Sequence, residues 1–302
     1  MAISDWRDEE TVIISRENEK FGKMTLAELS DSYPRSLYLY HLNTKEYELL
    51  KEQKDVFLGD AALSSDKRHL LYSEFSLGDP VYHVLDMETL DSFGILGDPI
   101  AGALGAKWAD EETVIGPAYS GGAFTASTSG ELAAVAGLEG EALVIVEKMK
   151  DKIYYNTSSD EALQVLDLSA KEKASLDLEH VYGVFPSPEG NQLLVLQYND
   201  SGQTLILCDA DGGNRAIIAE GAELGGISWS PDQRMIAYSQ KDNEDGAADD
   251  GLYLYDLATG KSARIAADAE NLATSWSPSG RELAYTKWSE NQYSSSIVHL
   301  TY

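Results

Sequence analysis

Residues 226–239 read Gly-Ile-Ser-Trp-Ser-Pro-Asp-Gln-Arg-Met-Ile-Ala-Tyr-Ser, and residues 273–286 read Ala-Thr-Ser-Trp-Ser-Pro-Ser-Gly-Arg-Glu-Leu-Ala-Tyr-Thr. Each stretch predicts a short strand, a tight turn around Ser-Pro, and a second strand with alternating side chains. The spacing between Trp229 and Trp276 lies within the range of about 20–50 residues that marks repeat architectures. The two stretches are therefore interpreted as two copies of one structural repeat.

Weaker copies of this pattern cover the rest of the chain, beginning at Trp6, Leu63, Trp108, Met149 and Phe185. Most copies are followed by an apolar strand that ends at a polar residue, often an aspartate such as Asp86 or Asp256. The carboxylate of that aspartate can accept the backbone N–H two residues later and close a turn. A fourth strand follows, so each repeat predicts four antiparallel strands, which is the blade of a β-propeller.

The sequence therefore predicts an all-β, seven-bladed β-propeller of four-stranded antiparallel blades, forming one domain over residues 1–302. We expect the blades near residues 1–51, 52–96, 97–137, 138–178, 179–221, 222–269 and 270–302. Six blades is the alternative, if the third and fourth repeats merge into one. Because the printed sequence ends just after a third strand, we expect the last blade to be three-stranded. We also expect the natural protein to carry an upstream closing strand.

The Trp-Ser-Pro-Asp pattern with Ile-Ala-Tyr, followed by Leu-Tyr-Leu-Tyr-Asp and Thr-Gly-Lys, resembles the TolB-like (WD-like) propeller repeats. The resemblance is close at residues 226–269 and 270–302, whereas the third and fourth repeats are degenerate. It implies a non-catalytic scaffold that binds a protein or peptide partner, in an extracytoplasmic position in a bacterial cell envelope. The first residues show neither the basic nor the apolar region of a signal peptide.

The composition is strongly acidic, since 23 Lys and Arg against 51 Asp and Glu give a net charge of −28. Such a surface repels phosphate backbones, so we expect no nucleic-acid partner, whereas a basic protein or peptide would be attracted. No apolar run reaches the roughly 18 residues of a transmembrane helix. The one cysteine, Cys208, lies in an apolar strand pattern and is predicted to be a buried thiol rather than a reactive one.

The sequence contains none of the common catalytic motifs that we sought, such as Gly-x-Ser-x-Gly, His-Glu-x-x-His or a Walker loop. The five histidines do not occupy equivalent repeat positions. His41 and His299 stand where the turn aspartate is expected, which predicts that their side chains cap turns. We therefore expect no catalytic residues and no cofactor. The alternative is a carbohydrate-binding or carbohydrate-processing, lyase-like propeller.

The loops between second and third strands carry aromatic residues beside acidic ones, at positions where the repeat leads us to expect polar residues. In a propeller these loops lie on the same face as the connections between blades. Aromatic and acidic side chains there suit sugars or cationic peptide groups. We name this set the candidate rim, and it comprises Phe75, Tyr119, Tyr198, Trp288, Tyr293, Glu74, Asp200 and Glu290. The competing interpretation is that each aromatic ring merely covers the edge of its own blade.

Residues 242–250 form the densest group of oxygen ligands in the sequence. Four aspartates in this loop, Asp242, Asp245, Asp249 and Asp250, are the candidates for a Ca²⁺ site. The spacing departs from the EF-hand pattern because the terminal glutamate is missing. A solvated hairpin tip is therefore our expectation for this loop.

Overall fold

The sequence repeat folds into consecutive antiparallel sheets. The computed structural model describes residues 1–242, 250–267, 272–289 and 292–301. Within these ranges the only helical elements are two short 3₁₀ turns, Glu19–Phe21 and Ala27–Leu29. None of the described helices is long and apolar enough to cross a membrane. The predicted all-β class is confirmed.

The strands fall into two compact units, of which the first comprises Met1–Gly140 and Tyr293–Ser295. Its strands β1 to β14 are, in chain order, Ala2–Asp8, Thr11–Glu17, Arg35–His41, Tyr47–Lys51, Phe57–Leu63, His69–Phe75, Val81–Asp86, Ser92–Gly94, Leu96–Gly97, Ala101–Gly102, Lys107–Trp108, Thr113–Pro117, Ala123–Ser127 and Leu132–Ala134. The meanders β1–β4 and β5–β8 are joined into one eight-stranded sheet by a single parallel bridge between Arg35 and Phe57. Strands β11–β14 form a separate four-stranded sheet, and β9 pairs only with β10.

The second unit comprises Glu141–Gln292 and Ser296–Tyr302. Its strands β15 to β29 are Leu143–Met149, Lys152–Thr157, Asp160–Asp167, Glu172–Ser175, Val181–Pro186, Gln192–Asn199, Gly202–Asp209, Ala216–Gly221, Glu223–Trp229, Met235–Lys241, Gly251–Asp256, Lys261–Ala266, Leu272–Trp276, Glu282–Ser289 and Gln292–His299. Strands β15–β18, β19–β22 and β23–β26 form three four-stranded sheets, and β27–β29 form a three-stranded sheet.

The apolar core lies between neighbouring sheets of each unit. In the first unit, Leu71 and Val84 from one sheet pack with Val114 and Phe124 from the next, all of them at most 3% exposed. The second and third strands supply these four side chains. The second strands are covered on both faces, as the five consecutive buried residues that begin β6 show, which explains their nearly continuous apolar sequences. Each sheet thus depends on its neighbour for its hydrophobic stabilisation.

Three of the repeat tryptophans link their meander to the one before it through the indole N–H. Trp108 Nε1 donates to the carbonyl of Ala62 at 2.8 Å, and Trp229 Nε1 donates to the carbonyl of Phe185 at 2.9 Å. Trp276 Nε1 donates to Ser228 Oγ at 3.0 Å. In these three cases the acceptor lies on the first strand of the preceding meander. The tryptophan that marks the repeat in the sequence is therefore an inter-sheet hydrogen-bond donor as well as an apolar residue.

The Ser-Pro turns between first and second strands are closed by the serine side chain. Ser230 Oγ accepts the backbone N–H groups of Arg234 at 3.1 Å and Met235 at 2.9 Å. The turn needs a residue with positive φ, which is Gly280 in the last copy but Gln233 in the one before it, at 54°. Gln233 is a side-chain-bearing residue in a left-handed conformation, and its amide donates to Asn191 and Gln192 of the preceding sheet.

Lys67 repeats this arrangement in the first unit. Its φ is 61°, and its ammonium donates to the carbonyl of Trp6 at 2.9 Å. At both positions a residue with a long polar side chain takes the place of glycine in a left-handed turn. Its side chain donates a hydrogen bond to the preceding meander.

The aspartates that end the third strands close the following turns as predicted. Asp86 Oδ1 accepts the backbone N–H groups of Glu88 and Thr89, each at 2.8 Å. Asp256 Oδ1 accepts that of Ala258 at 2.8 Å and that of Thr259 at 3.3 Å. The histidines at the same repeat position behave differently. His41 contacts Thr11 Oγ1 through its ring, and His299 lies 2.7 Å from Glu282 Oε1. The prediction that these two side chains cap turns is wrong, because each reaches across to the first residue of the second strand.

We predict that Trp229→Phe lowers the free energy of unfolding by about 1–3 kcal/mol, because it leaves the Phe185 carbonyl without its donor and removes buried ring volume. Urea unfolding would measure the change. The matched control is Trp288→Phe, since Trp288 is 42% exposed and Trp229 only 9%. Equal losses in the two variants would contradict the proposed role of the indole.

We also predict that Asp256→Ala destabilises the protein in a pH-dependent manner. The Ala258 backbone N–H holds the pKa of the Asp256 carboxyl below its ordinary 3.8. A carboxyl with a lowered folded-state pKa stabilises the fold above its unfolded pKa, and this contribution is lost as the pH falls through the folded pKa. Asp256→Ala should therefore lower the melting temperature at about pH 7 and have much less effect near pH 2.5. Asp151→Ala is the control, and a difference that is constant with pH would refute the prediction.

Candidate functional site

The loops between second and third strands lie beside the connections that join consecutive meanders, and together we call them the upper loops. Tyr119, after β12, donates its backbone N–H to Gly102 O in the connection that precedes β11, at 2.9 Å. In the second unit, Tyr198 at the end of β20 donates its backbone N–H to His180 O in the connection before β19, at 3.1 Å. All described members of the candidate rim belong to, or immediately adjoin, these upper loops.

The long upper loop at residues 17–34 is tied down by carboxylates of the connection that follows β4. Thr25 donates to Asp55 through both its backbone N–H, at 2.7 Å, and its hydroxyl, at 2.9 Å. Glu52 accepts Lys20 Nζ and Asn18 Nδ2. Hydrogen bonds from Lys20 and Thr25 lower the pKa values of Glu52 and Asp55, respectively. Met24 is buried beneath this loop, so the segment covers the end of its meander.

Phe75 and Glu74 end strand β6 and face different surroundings. Phe75 is 38% exposed, and its ring stacks on Phe57 with centroids 6.4 Å apart. Glu74 accepts a hydrogen bond from Gln53 at 2.8 Å and lies 3.3 Å from His83 Nε2. Burial lowers the pKa of His83, whose ring also stacks on a buried tyrosine. Glu74 is thus held in place within its own sheet, and Phe75 offers one ring face to solvent.

Tyr119 is 43% exposed and reaches towards the preceding meander. Burial, together with a hydrogen bond to Asp79, raises the pKa of its phenol. Its ring lies over Gly102, where an added Cβ would come within 3.0 Å of the ring. The side chain therefore occupies a fixed position beside an acidic loop residue.

Tyr293 supplies a ring face to a cation. Arg35 lies with its guanidinium carbon 4.7 Å from the Tyr293 ring centroid, within the range of a cation–π contact. Ser15 accepts two hydrogen bonds from the same guanidinium. This ring is 39% exposed, and one of its faces is already occupied by Arg35.

In the second unit the upper loops bring together three polar side chains. Tyr198 donates its phenol O–H to Glu161 Oε2, and His180 Nδ1 lies 3.3 Å from the same oxygen. These two contacts lower the pKa of Glu161, and the hydrogen bond with Glu161 raises the pKa of Tyr198. The His180 and Tyr198 ring centroids are 5.3 Å apart. The sequence indicated Tyr198 but missed Glu161 and His180, because neither residue belongs to the repeat pattern.

The other predicted site residues are placed as follows. Trp288 lies near the end of β28, and Asp200 lies in the tight turn between β20 and β21. Glu290, Asp245 and Asp249 lie outside the described residues. Of the predicted calcium ligands, Asp250 Oδ1 accepts the Asp242 backbone N–H at 2.8 Å, which closes the base of this loop.

The described residues separate the candidate rim into two sets. Phe75, Glu74, Tyr119 and Tyr293 belong to the first unit, and Tyr198, Asp200 and Trp288 belong to the second. Tyr119 hydrogen-bonds with Asp79, and Tyr198 donates to Glu161. Each of these carboxylates belongs to the preceding meander. The competing interpretation, in which each ring covers only its own blade edge, describes Phe75 but not these two tyrosines.

No group of three or more His, Cys, Asp or Glu side chains in the described part of the chain is arranged to hold a metal ion. A depression of about 580 Å³ lies at the opposite ends of β1 to β4, lined by Asp8, Glu9, Glu10, Thr11, His41, Asn43, Thr44 and Glu46. It is acidic, and it lies at the turns rather than at the upper loops.

Comparisons with known proteins agree with this architecture. No protein-family model matches the sequence, and no curated protein sequence is significantly similar to it. Among solved structures, TolB from Acinetobacter baumannii matches over 96% of this chain with a TM-score of 0.59 and 12% identity. The chain spans 61% of the length of that TolB. This likeness shows a β-propeller fold, which agrees with the sequence resemblance to TolB-like repeats.

Two oligogalacturonate lyases share the same fold. The enzyme from Vibrio parahaemolyticus matches with a TM-score of 0.69 and 13% identity, covering 96% of this chain and 93% of the lyase. An oligogalacturonate lyase in complex with manganese also has a TM-score of 0.69, at 14% identity, covering 99% of this chain and 95% of the lyase. At these identities the likeness shows the fold and carries no function.

Cys208 has the properties of a structural thiol. Its side chain is fully buried, and burial raises its pKa to about 11. We predict that Ellman's reagent leaves the native protein unmodified at about pH 8 and labels one thiol per chain in urea. Cys208→Ala gives the blank, and prompt labelling of the native protein would contradict the prediction.

Proposed function

We propose that this chain is a non-catalytic recognition domain that binds a protein or peptide partner through its upper loops. The observation that carries the proposal is the exposure of five aromatic side chains in or next to these loops. Phe75, Tyr119, Tyr198, Trp288 and Tyr293 are each 37–43% exposed. Partly exposed aromatic rings on fixed backbone are typical of binding surfaces, where they bury large areas with little loss of conformational freedom.

The acidic character of the chain supports a basic partner. The net charge is −28, and carboxylates lie directly beside the exposed rings, as with Asp79 at Tyr119 and Glu161 at Tyr198. Lysine and arginine side chains are attracted by such carboxylates and by the faces of aromatic rings. The same charge disfavours nucleic acid.

Carbohydrate binding or processing is the second candidate function, supported by the fold shared with the two oligogalacturonate lyases. Aromatic faces also suit sugar rings. An oligogalacturonate is itself a polyanion, however, and a protein with a net charge of −28 would repel it. A neutral glycan fits this surface better than an acidic one. We propose no cofactor, and a Ca²⁺ site at Asp242, Asp245, Asp249 and Asp250 stays the alternative to a solvated loop.

We also propose that the chain forms a single propeller domain of seven blades, with a three-stranded last blade. Support comes from the separate four-stranded sheets β11–β14 and β15–β18, which the six-blade alternative would merge. The three-stranded sheet β27–β29 corresponds to the last repeat. We place the protein in a bacterial cell envelope, outside the cytoplasm, on the strength of the resemblance to TolB-like repeats.

The proposed binding surface is tested by alanine variants of exposed aromatic residues. Immobilised wild type would be screened against a phage-displayed peptide library and against a glycan array. We expect Trp288→Ala and Tyr119→Ala each to reduce capture of the selected peptides about tenfold or more, because they remove partly exposed anchors. Tyr47→Ala is the matched control for Tyr119→Ala, since both rings are 43% exposed and Tyr47 lies on the outer strand β4.

Two outcomes would overturn the proposal. If peptide capture is unchanged in both rim variants, the upper loops are not the binding surface. If peptides fail to bind and a glycan binds in a manner that depends on Trp288 and Tyr119, the carbohydrate reading replaces the peptide reading. Melting temperatures of all variants would confirm that they fold.

A further inference from the structure

Glu161, His180 and Tyr198 form a polar cluster at the upper loops of the second unit. The Tyr198 phenol donates a hydrogen bond to Glu161 Oε2, and His180 Nδ1 lies 3.3 Å from the same oxygen. The three side chains are partly exposed, with 47% for the Glu161 side chain and 61% for that of His180. They come from three separate segments, namely the first residues of β17, the connection before β19, and the end of β20.

The backbone holds these side chains in position. His180 adopts a positive φ of 53°, and its carbonyl accepts the backbone N–H of Tyr198 at 3.1 Å. Gln197 donates its side-chain amide to the carbonyl of Glu179, next to His180. In this left-handed conformation the imidazole faces Glu161, with Nδ1 3.3 Å from Oε2.

The cluster has two hydrogen-bond acceptors left over. Among the described residues, both donors to Glu161 lie on Oε2, and none lies on Oε1. When His180 Nδ1 carries the proton that faces Glu161, the uncharged imidazole has its lone pair on Nε2. The carboxylate Oε1 is therefore an open acceptor with the Tyr198 ring beside it, whereas Nε2 lies on the edge of the imidazole that faces away from Glu161.

We propose that this cluster is a subsite for a guanidinium group, such as an arginine side chain of a peptide partner. A guanidinium is planar and carries several N–H donors, so it can donate to the open Oε1 of Glu161 while one of its faces lies against the Tyr198 ring. The inference rests on the proposed function, because it takes the upper loops to be the binding surface, and it adds the chemical group that is recognised.

Other ligand groups fit less well. An ammonium group is a compact charge without the planar fork, so it would use the carboxylate but gain less from the ring. A carboxylate or phosphate would be repelled by Glu161. A neutral sugar hydroxyl would gain no charge-assisted contact.

The test uses the full chain and two peptides that differ only in charge, acetyl-Gly-Arg-Gly-amide and acetyl-Gly-citrulline-Gly-amide. Citrulline keeps the shape of arginine but has a neutral urea in place of the guanidinium. Histidines labelled with ¹³C would give five signals, and His180→Gln identifies the one from His180. We expect the arginine peptide to shift the His180 signal at about pH 8, where an ordinary imidazole is uncharged, and the citrulline peptide to leave it unchanged.

Three further variants separate the subsite from the general charge of the protein. Glu161→Gln should weaken binding of the arginine peptide about tenfold, because it removes the charge of the acceptor while keeping its shape. Tyr198→Phe should weaken it less, since the carboxylate remains but loses one positioning donor. Glu172→Gln removes one charge from the exposed strand β18 and should change the affinity less than twofold.

The inference is overturned if Glu161→Gln and Glu172→Gln weaken binding equally, because the peptide then responds only to net charge. It is also overturned if the His180 signal responds to both peptides alike. Failure of the proposed function gives a different result. In that case Tyr119→Ala and Trp288→Ala leave peptide selection unchanged, whatever happens at Glu161.

Discussion

The hydrogen bond from a repeat tryptophan to the first strand of the preceding meander ties neighbouring meanders together at Trp108, Trp229 and Trp276. A single four-stranded meander cannot bury its apolar second strand without a neighbour. The indole of Trp108, Trp229 or Trp276 supplies the apolar contact and also fixes the distance and register between neighbours through a directional bond. A purely apolar residue would provide the burial but leave the relative position of the sheets less defined.

Side chains of the upper loops also contact the preceding meander. Tyr119 hydrogen-bonds with Asp79, and Tyr198 donates to Glu161, and in each case the acceptor belongs to the preceding meander. A ring fixed in this way has its hydroxyl engaged within the protein and its face available to a partner. The carboxylate in turn is oriented by the phenol and retains further acceptor capacity. Aromatic residues and acidic residues at these loops are therefore parts of the same local units.

The repeat made the strands, the Ser-Pro turns and the aspartate turns predictable, because each depends on residues close together in the chain. Asp86 and Asp256 close their turns through backbone N–H groups two and three residues later. The donors and the acceptor of each turn therefore lie within four consecutive residues of the sequence. The rim was predictable only as a set of positions. The partners of Tyr198 could not be derived, since Glu161 lies 37 residues away and His180 owes its orientation to a backbone conformation that its sequence does not indicate. The histidines were misread for the same reason, because Glu282, which His299 contacts, lies on another strand.

Lys67 and Gln233 carry side chains at turn positions where other copies of the repeat have glycine. A left-handed conformation is unfavourable by about 1–2 kcal/mol for a residue with a Cβ, and both residues also tie their turn to the preceding meander. The backbone at this position favours glycine, whereas the contact with the preceding meander needs a long side chain. A chain assembled from identical consensus copies with glycine in every turn would therefore have relaxed hairpins and would lose these two contacts between neighbouring meanders.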